Sequence, residues 1–288
     1  MLQVARLAPK PLGEAAELVV GFLRSQLNDD GGFADRAGAS DLYYTVFGLE
    51  GMLALRADVP VARVESYLKS FGGGETLDLI HASCLARCWA GLPPDVRGQA
   101  PRESILARVE SHRSGDGTYS ATPGSKFGTL YGCFLALGAY EDLCAAAPDP
   151  EAMLRCAARL RAADGGYANQ DDLPMGLTPS TAAAATLMRH LGQPPEPEIA
   201  DWLLSRCHPE GGFYATPEAP IPDLLSTATA LHALAGMHAD IEPIKERCLD
   251  FIDTLWTSKG AFYGNWADDV ADCEYTYYAL LALGHLSF

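Results

Sequence analysis

Asp272, Cys273 and Glu274 bring two carboxyls and a thiol into one helical turn late in the chain. They open DCEYTYYALLALGHL, an apolar and aromatic stretch whose spacing predicts a helix. A carboxylate facing an apolar wall needs a partner. Five other stretches share this pattern, and at the place of Glu274 they carry Tyr43, Ile80, Phe127, Pro179 and Leu225, none of them charged. Glu274 therefore reads as a group that meets a ligand, with compensation of the helix dipole as the alternative. Asp272 corresponds to Asp41, Asp78 and Asp223, each at the start of an apolar stretch, so its simplest role is an N-cap. His81 reads as a hydrogen-bonded core histidine. His190, His232 and His285 fall late in their helices, where a donor can meet free carbonyls.

The elements that must position these groups form a repeat. Glycine hairpins recur at Gly31-Gly32-Phe33, Gly72-Gly73-Gly74, Gly115-Asp116-Gly117, Gly165-Gly166-Tyr167, Gly211-Gly212-Phe213 and Gly260-Ala261-Phe262. A helix start follows each, at Asp41, Asp78, Ser125, Thr178, Asp223 and Asp272. The helices before the hairpins are amphipathic, as in Ala15 to Gln26, Ser104 to His112, Ala152 to Leu160 and Ile199 to Cys207. The helices after them are apolar on nearly all sides, and a helix of that kind is buried on nearly all sides. Six outer and six inner helices in alternation predict an all-α fold, an α6/α6 double ring of six helical hairpins spanning residues 1–288 as one domain. The sixth unit closes against the first, and the inner helices enclose an axial cavity.

The walls of that cavity are unequal. The sixth and first units contribute Tyr275, Tyr277, Tyr278, Tyr43, Tyr44 and Phe47, and the third adds Phe127, Tyr131 and Phe134. The fourth offers little beyond Ala182 to Ala185 and Leu187. An off-centre apolar space with aromatic walls and acids at its rim suits a prenyl chain or another long hydrophobe, and the plainer alternative is a filled core. A formal net charge of −16 argues against nucleic acid and anionic membrane surfaces. No apolar run is long enough to span a membrane, and MLQVARLAPKPLGE lacks the apolar core of a signal peptide. Eight cysteines without a CxxC pair are expected as buried thiols in a cytoplasmic protein.

With its six units, this sequence resembles the α/α-toroid superfamily of protein prenyltransferase β subunits and class II terpene cyclases. GGFADRAGASDLYYTVFGLEGML (31–53) is closest, being similar to a repeat of Rab geranylgeranyltransferase β subunits. The resemblance implies an isoprenoid bound in the axial cavity, with Tyr43, Tyr44, Phe47, Phe127, Tyr131, Tyr275 and Tyr278 as wall residues. It implies transfer of the isoprenoid to an acceptor, and a helical-repeat α-type partner or a homodimer. Prenyltransferases hold one zinc through Asp, a Cys two residues on and a His of a neighbouring repeat. Here those places fall on Asp272, Glu274 and Tyr44, with Cys273 displaced by one and His81 one unit further round. Asp272, Cys273, Glu274 and His81 are thus the zinc candidates the resemblance implies. The diphosphate clamp that precedes the zinc Asp in that family corresponds to residues 264–271, which carry two acids and no base; Arg36, Lys126 and Lys259 are the scattered alternatives. The cyclase branch instead implies a general acid, and Val270-Ala271-Asp272-Cys273 resembles its acid motif. An Asp272 raised in pKa by an aromatic cavity would supply the proton, with Glu274 as the second catalytic candidate. A toroid that only binds a lipid or acts as a scaffold is the third alternative.

Overall fold

The computed structural model describes residues 1–171 and 173–287. Twelve of the fifteen helices among them alternate in two roles. The outer set is α1 (Ala15–Ser25), α3 (Val61–Lys69), α5 (Arg102–Glu110), α7 (Pro150–Arg159), α9 (Pro197–Leu204) and α11 (Glu242–Thr254). The inner set is α2 (Leu42–Ala54), α4 (Leu79–Gly91), α6 (Leu130–Asp142), α8 (Thr178–His190), α10 (Leu224–Gly236) and α12 (Cys273–His285). Every inner helix has 13 residues. Each packs on the next around the cycle, α12 returns to α2, and each outer helix packs on the inner helix that follows it. The remaining three helices are four-residue turns at Leu2–Ala5, Pro9–Leu12 and Pro94–Arg97. The fold is therefore an α/α toroid. No helix among the described residues is long and apolar enough to cross a membrane.

The hairpins explain the closure. Gly31 has φ +98°, and a Cβ there would lie 2.1 Å from the carbonyl oxygen of Arg63 on the next outer helix. Gly260 repeats the contact with φ +82°, its would-be Cβ lying 2.2 Å from the Leu18 carbonyl oxygen. Only glycine meets both the positive φ and the close approach, and the second contact joins the last unit to α1. In four of the six units the aromatic that follows the hairpin is an anchor. Phe33, Tyr167, Phe213 and Phe262 are buried, and their backbone N–H groups donate to the buried hydroxyls of Thr45, Thr181, Thr227 and Thr276 at 2.9–3.3 Å. In the first unit Phe33–Ala34 (β1) also pairs antiparallel with Ser40–Asp41 (β2), with Phe33 opposite Asp41.

The caps follow the expected acids with one correction. Asp41, Asp78, Asp223 and Asp272 cap α2, α4, α10 and α12 through backbone N–H groups of the first turn. The third inner helix does not start at Ser125. Its cap is Thr129, which accepts from the Gly132 N–H at 3.0 Å. The carbonyls of Ser125 and Lys126 are engaged instead by the N–H groups of Gly115 and Asp116, at 2.9 and 3.1 Å. That pairing holds the segment against the hairpin and outside the helix.

Candidate functional site

The mouth of the axial cavity is built from the first turns of α2 and α12. Glu274, the second residue of α12, is half-buried and accepts a hydrogen bond of 2.6 Å from the Tyr43 hydroxyl. Burial pushes its carboxyl up to about 7, against the pull of the Tyr43 hydrogen bond and the Arg36 charge, with Asp272 pushing the same way as burial. Asp272 is only 3% exposed. One of its oxygens accepts from the Tyr275 N–H at 2.9 Å and the other from Arg36 Nε at 2.7 Å. Burial raises its pKa as well, opposed by those two donors. Arg36 also binds Asp268 through both terminal nitrogens, at 3.2 and 2.8 Å, and lies 5.4 Å above the centre of the Tyr275 ring. Arg36, Tyr44, Asn265, Asp268, Glu274 and Tyr275 line an open rim pocket of about 520 Å³.

Inside this rim lies the axial cavity, of about 450 Å³. Tyr43, Phe47, Tyr131, Phe134, Tyr277 and Tyr278 form its bulky side; Ala182, Ala183 and Leu187 form the thin side. Phe47 is the hub of the aromatic wall, with ring centres 5.0 Å from Tyr43, 5.3 Å from Tyr278 and 5.9 Å from Tyr277. Lining residues run along α8 from Pro179 to His190, about 16 Å at helical rise. At the far end the C-terminal halves of the inner helices make a polar floor. Arg87 of α4 donates from Nε to Asp142 of α6 at 2.6 Å and from Nη1 to Glu50 of α2 at 3.1 Å. His232 Nδ1 and His285 Nε2 are 3.0 Å apart, and burial drives both imidazoles down, to about 2 and about 4.

The expected wall residues divide between two spaces. Tyr43, Phe47, Tyr131 and Tyr278 line the axial cavity, whereas Tyr44 and Tyr275 line the rim pocket. Phe127 lines neither, which corrects its assignment to the wall. It lies before α6, 43% exposed, with Lys126 Nζ 4.9 Å and the Arg159 guanidinium 5.0 Å from its ring centre. With Thr129 as the cap, the residue matching Glu274 in the third unit is Tyr131.

The zinc set is also corrected. Cys273 is fully buried, and burial pushes its thiol up. Both Asp272 oxygens are committed, to the helix cap and to Arg36. His81 faces Asp78 at 2.9 Å and Asp41 at 3.4 Å through its two ring nitrogens. Among the described residues no group of three His, Cys, Asp or Glu side chains converges as a metal site needs. Asp272, Cys273, Glu274 and His81 therefore do not fit a zinc ion. The floor residues Glu50, Arg87 and Asp142 were missed in the sequence, although the signal was the one that marked Glu274: a charge inside a nearly apolar helix.

The model of the prenyltransferase alpha-alpha toroid domain matches residues 15–85 and 156–287. No curated protein matches the chain in sequence. Among solved structures, a variant of the type II terpene cyclase MstE from Scytonema, in complex with geranylgeranyl dihydroxybenzoate, superposes with a TM-score of 0.67 at 13% identity, over 97% of both chains. A protein from Actinoplanes gives 0.63 at 16% identity, over 94% of this chain and 97% of that one. Candida albicans protein geranylgeranyltransferase-I complexed with GGPP gives 0.53 at 15% identity, over 97% of this chain and 80% of that one. At these identities the likeness is one of fold.

Proposed function

The chain belongs to the prenyltransferase alpha-alpha toroid family, and from that premise we propose that it binds an isoprenoid in the axial cavity and that Glu274 protonates its unsaturated end. The observation that carries this reading is the Tyr43–Glu274 hydrogen bond at the mouth of an aromatic cavity. Raised to about 7, the Glu274 carboxyl keeps a proton near neutral pH. In the proposed step the carboxyl proton passes to one carbon of a terminal alkene, the π pair forms the new C–H bond, and the other carbon becomes a cation. The faces of Tyr43, Phe47 and Tyr278 stabilise that cation, which ends by losing a proton. Relatives in fold support the substrate class, since the MstE variant holds a geranylgeranyl compound described as its substrate. The acid role moves from Asp272 to Glu274 because Asp272 is engaged by Arg36 and by the helix it caps.

Prenyl transfer to an acceptor is the second reading. Family membership and the likeness to a protein geranylgeranyltransferase-I favour it. Two features of this chain disfavour it. The zinc candidates do not converge, and at the rim Arg36 faces Asp268, Asp272 and Glu274, which leaves little attraction for a diphosphate. Acid and cavity come from one chain, so the proposed chemistry requires neither a helical-repeat subunit nor a second copy.

The test is turnover of farnesyl and geranylgeranyl alcohols, epoxides and diphosphates in D2O, read by mass spectrometry. Deuterium on a cyclised product is expected. Glu274→Gln should lower the rate by about 10²–10⁴-fold, and folded Asp272→Asn by much less. Zinc-dependent transfer to a thiol, indifferent to Glu274→Gln, would establish the second reading instead. Tight binding without any product would leave a lipid-binding toroid.

A further inference from the structure

The floor of the axial cavity holds chemistry that the mouth does not use. A guanidinium has five N–H donors. Arg87 spends one on Asp142 and one on Glu50, and the rest belong to Nη1 and Nη2. Its side chain leaves 37% of its surface uncovered, and that surface is cavity wall. Beside Glu50 the Tyr277 hydroxyl is buried, with the Glu50 carboxylate as the acceptor it faces and no hydrogen bond of full geometry. Thus, at the end of a cavity whose walls are mostly apolar, an ion triad carries unspent donors and carboxylate lone pairs, beside the Tyr277 hydroxyl. A buried ion triad is a poor way to join three helices for stability alone, because desolvation offsets most of its attraction. Polar groups left unpaired there cost free energy unless a polar group meets them.

We propose that this floor is a head-group subsite that takes a hydroxyl at the end of a long apolar chain, so that the ligand class is a prenyl alcohol. A hydroxyl both donates and accepts. It can give its proton to Glu50 or Asp142 while accepting from Arg87. An anionic head gains nothing comparable. Glu50, Asp142 and the neighbouring Glu141 offset Arg87, Arg189 and the Met1 amino group, so the floor has no excess positive charge. The chain then runs up the axis along Phe47 and Tyr278 and presents its far end to Glu274. The inference rests on isoprenoid binding in this cavity and adds which end lies where.

Gly138 provides the test. It lines the cavity on α6, and a Cβ there would lie 3.7 Å from Arg87 Nη2, an ordinary contact. Gly138→Val therefore adds bulk at Nη2, away from the Nε and Nη1 that make the ion pairs, and replacing a helical glycine does not weaken α6 through propensity. Gly138→Ala is the milder companion. Binding of farnesol, farnesene and farnesyl diphosphate is measured by quenching of intrinsic fluorescence. In the unmodified protein farnesol is expected to bind roughly tenfold more tightly than the other two, the size of one good polar contact. Gly138→Val should remove that advantage and leave farnesene within about threefold, since its apolar contacts persist. Equal binding of farnesol and farnesene would overturn the head-group subsite and leave isoprenoid binding intact. An alcohol preference that survives Gly138→Val, or tightest binding of the diphosphate, would do the same. If none of the three binds, the isoprenoid reading falls as well.

Discussion

Arg36 and Arg87 do the same thing at opposite ends of one cavity: each lies between two carboxylates from other elements. Arg36 joins Asp268 and Asp272 at the mouth; Arg87 joins Glu50 and Asp142 at the floor. Each leaves 37% of its side chain uncovered, Arg36 to the rim pocket and Arg87 to the axial cavity. The chemistry is equal and the support is not. Asp268 and Asp272 also accept backbone N–H groups, from Gly264, Val270 and Tyr275, whereas Glu50 and Asp142 depend on Arg87. A charge pattern therefore says little about energy until its surroundings are known.

The largest expected difference comes from deleting each cation. Arg87→Met leaves Glu50 and Asp142 without their counter-charge at the cavity floor and should cost about 3–5 kcal/mol in denaturant unfolding. Arg36→Met should cost about 1 kcal/mol, because Asp268 keeps the Gly264 and Val270 N–H donors and Asp272 keeps its helix N–H partner. Equal losses at the two ends would break the comparison.

Acid and base should separate the ends next. Burial holds His232 and His285 below the ordinary imidazole range, to about 2 and about 4. Their neutral pair contributes stability that is fully present above about pH 6.5, the unfolded value, and is lost as pH falls toward 4. Glu274 has the opposite sign. Its folded pKa is raised to about 7, so its contribution is present below the unfolded value near 4.5 and is lost as pH rises through about 7. Unfolding free energy followed from about pH 8 to about pH 4 should therefore fall at both extremes. His232→Gln should flatten the fall below about pH 4.5, where Glu274 no longer contributes, and Glu274→Gln should remove the fall between about pH 6.5 and 7; between about 4.5 and 6.5 the two effects oppose each other. An acid slope untouched by His232→Gln would mean that the floor histidines already bind protons in the fold.

The ring was legible in the sequence because its signals are local. Glycine hairpins and apolar 13-residue helices recur six times and capping acids four times, and each unit checks the others. Ser125 misled because a serine before an aromatic run looks like a cap, while the deciding bonds come from Gly115 and Asp116 across the hairpin. Glu274 was legible as the odd charge at the start of its helix. Glu50, Arg87 and Asp142 carried an equal signal, yet the units were compared at their first turns and these residues lie in the C-terminal halves of their helices. The zinc candidates failed for another reason. Residue types can be counted along a chain, but metal binding needs lone pairs that are free and convergent. Asp272 had spent its oxygens on Arg36 and a helix N–H, which no spacing rule reveals.

The smallest expected effect tests the mouth alone. The Tyr43 hydroxyl donates to Glu274 and so favours the charged carboxylate, against the burial that favours the acid. Tyr43→Phe keeps the ring against Phe47 and removes only this donor. The Glu274 pKa should then rise further, by about one unit, the worth of one hydrogen bond to a charged group. If protonated Glu274 is the reacting form, activity falls as pH climbs through its pKa, and in Tyr43→Phe that fall should move to higher pH. A midpoint that moves down, or stays in place while the overall rate drops, would mean that Tyr43 acts through the shape of the aromatic wall. The same substitution should leave the acid limb of unfolding unchanged, because His232 and His285 stand at the far end of the cavity from Tyr43.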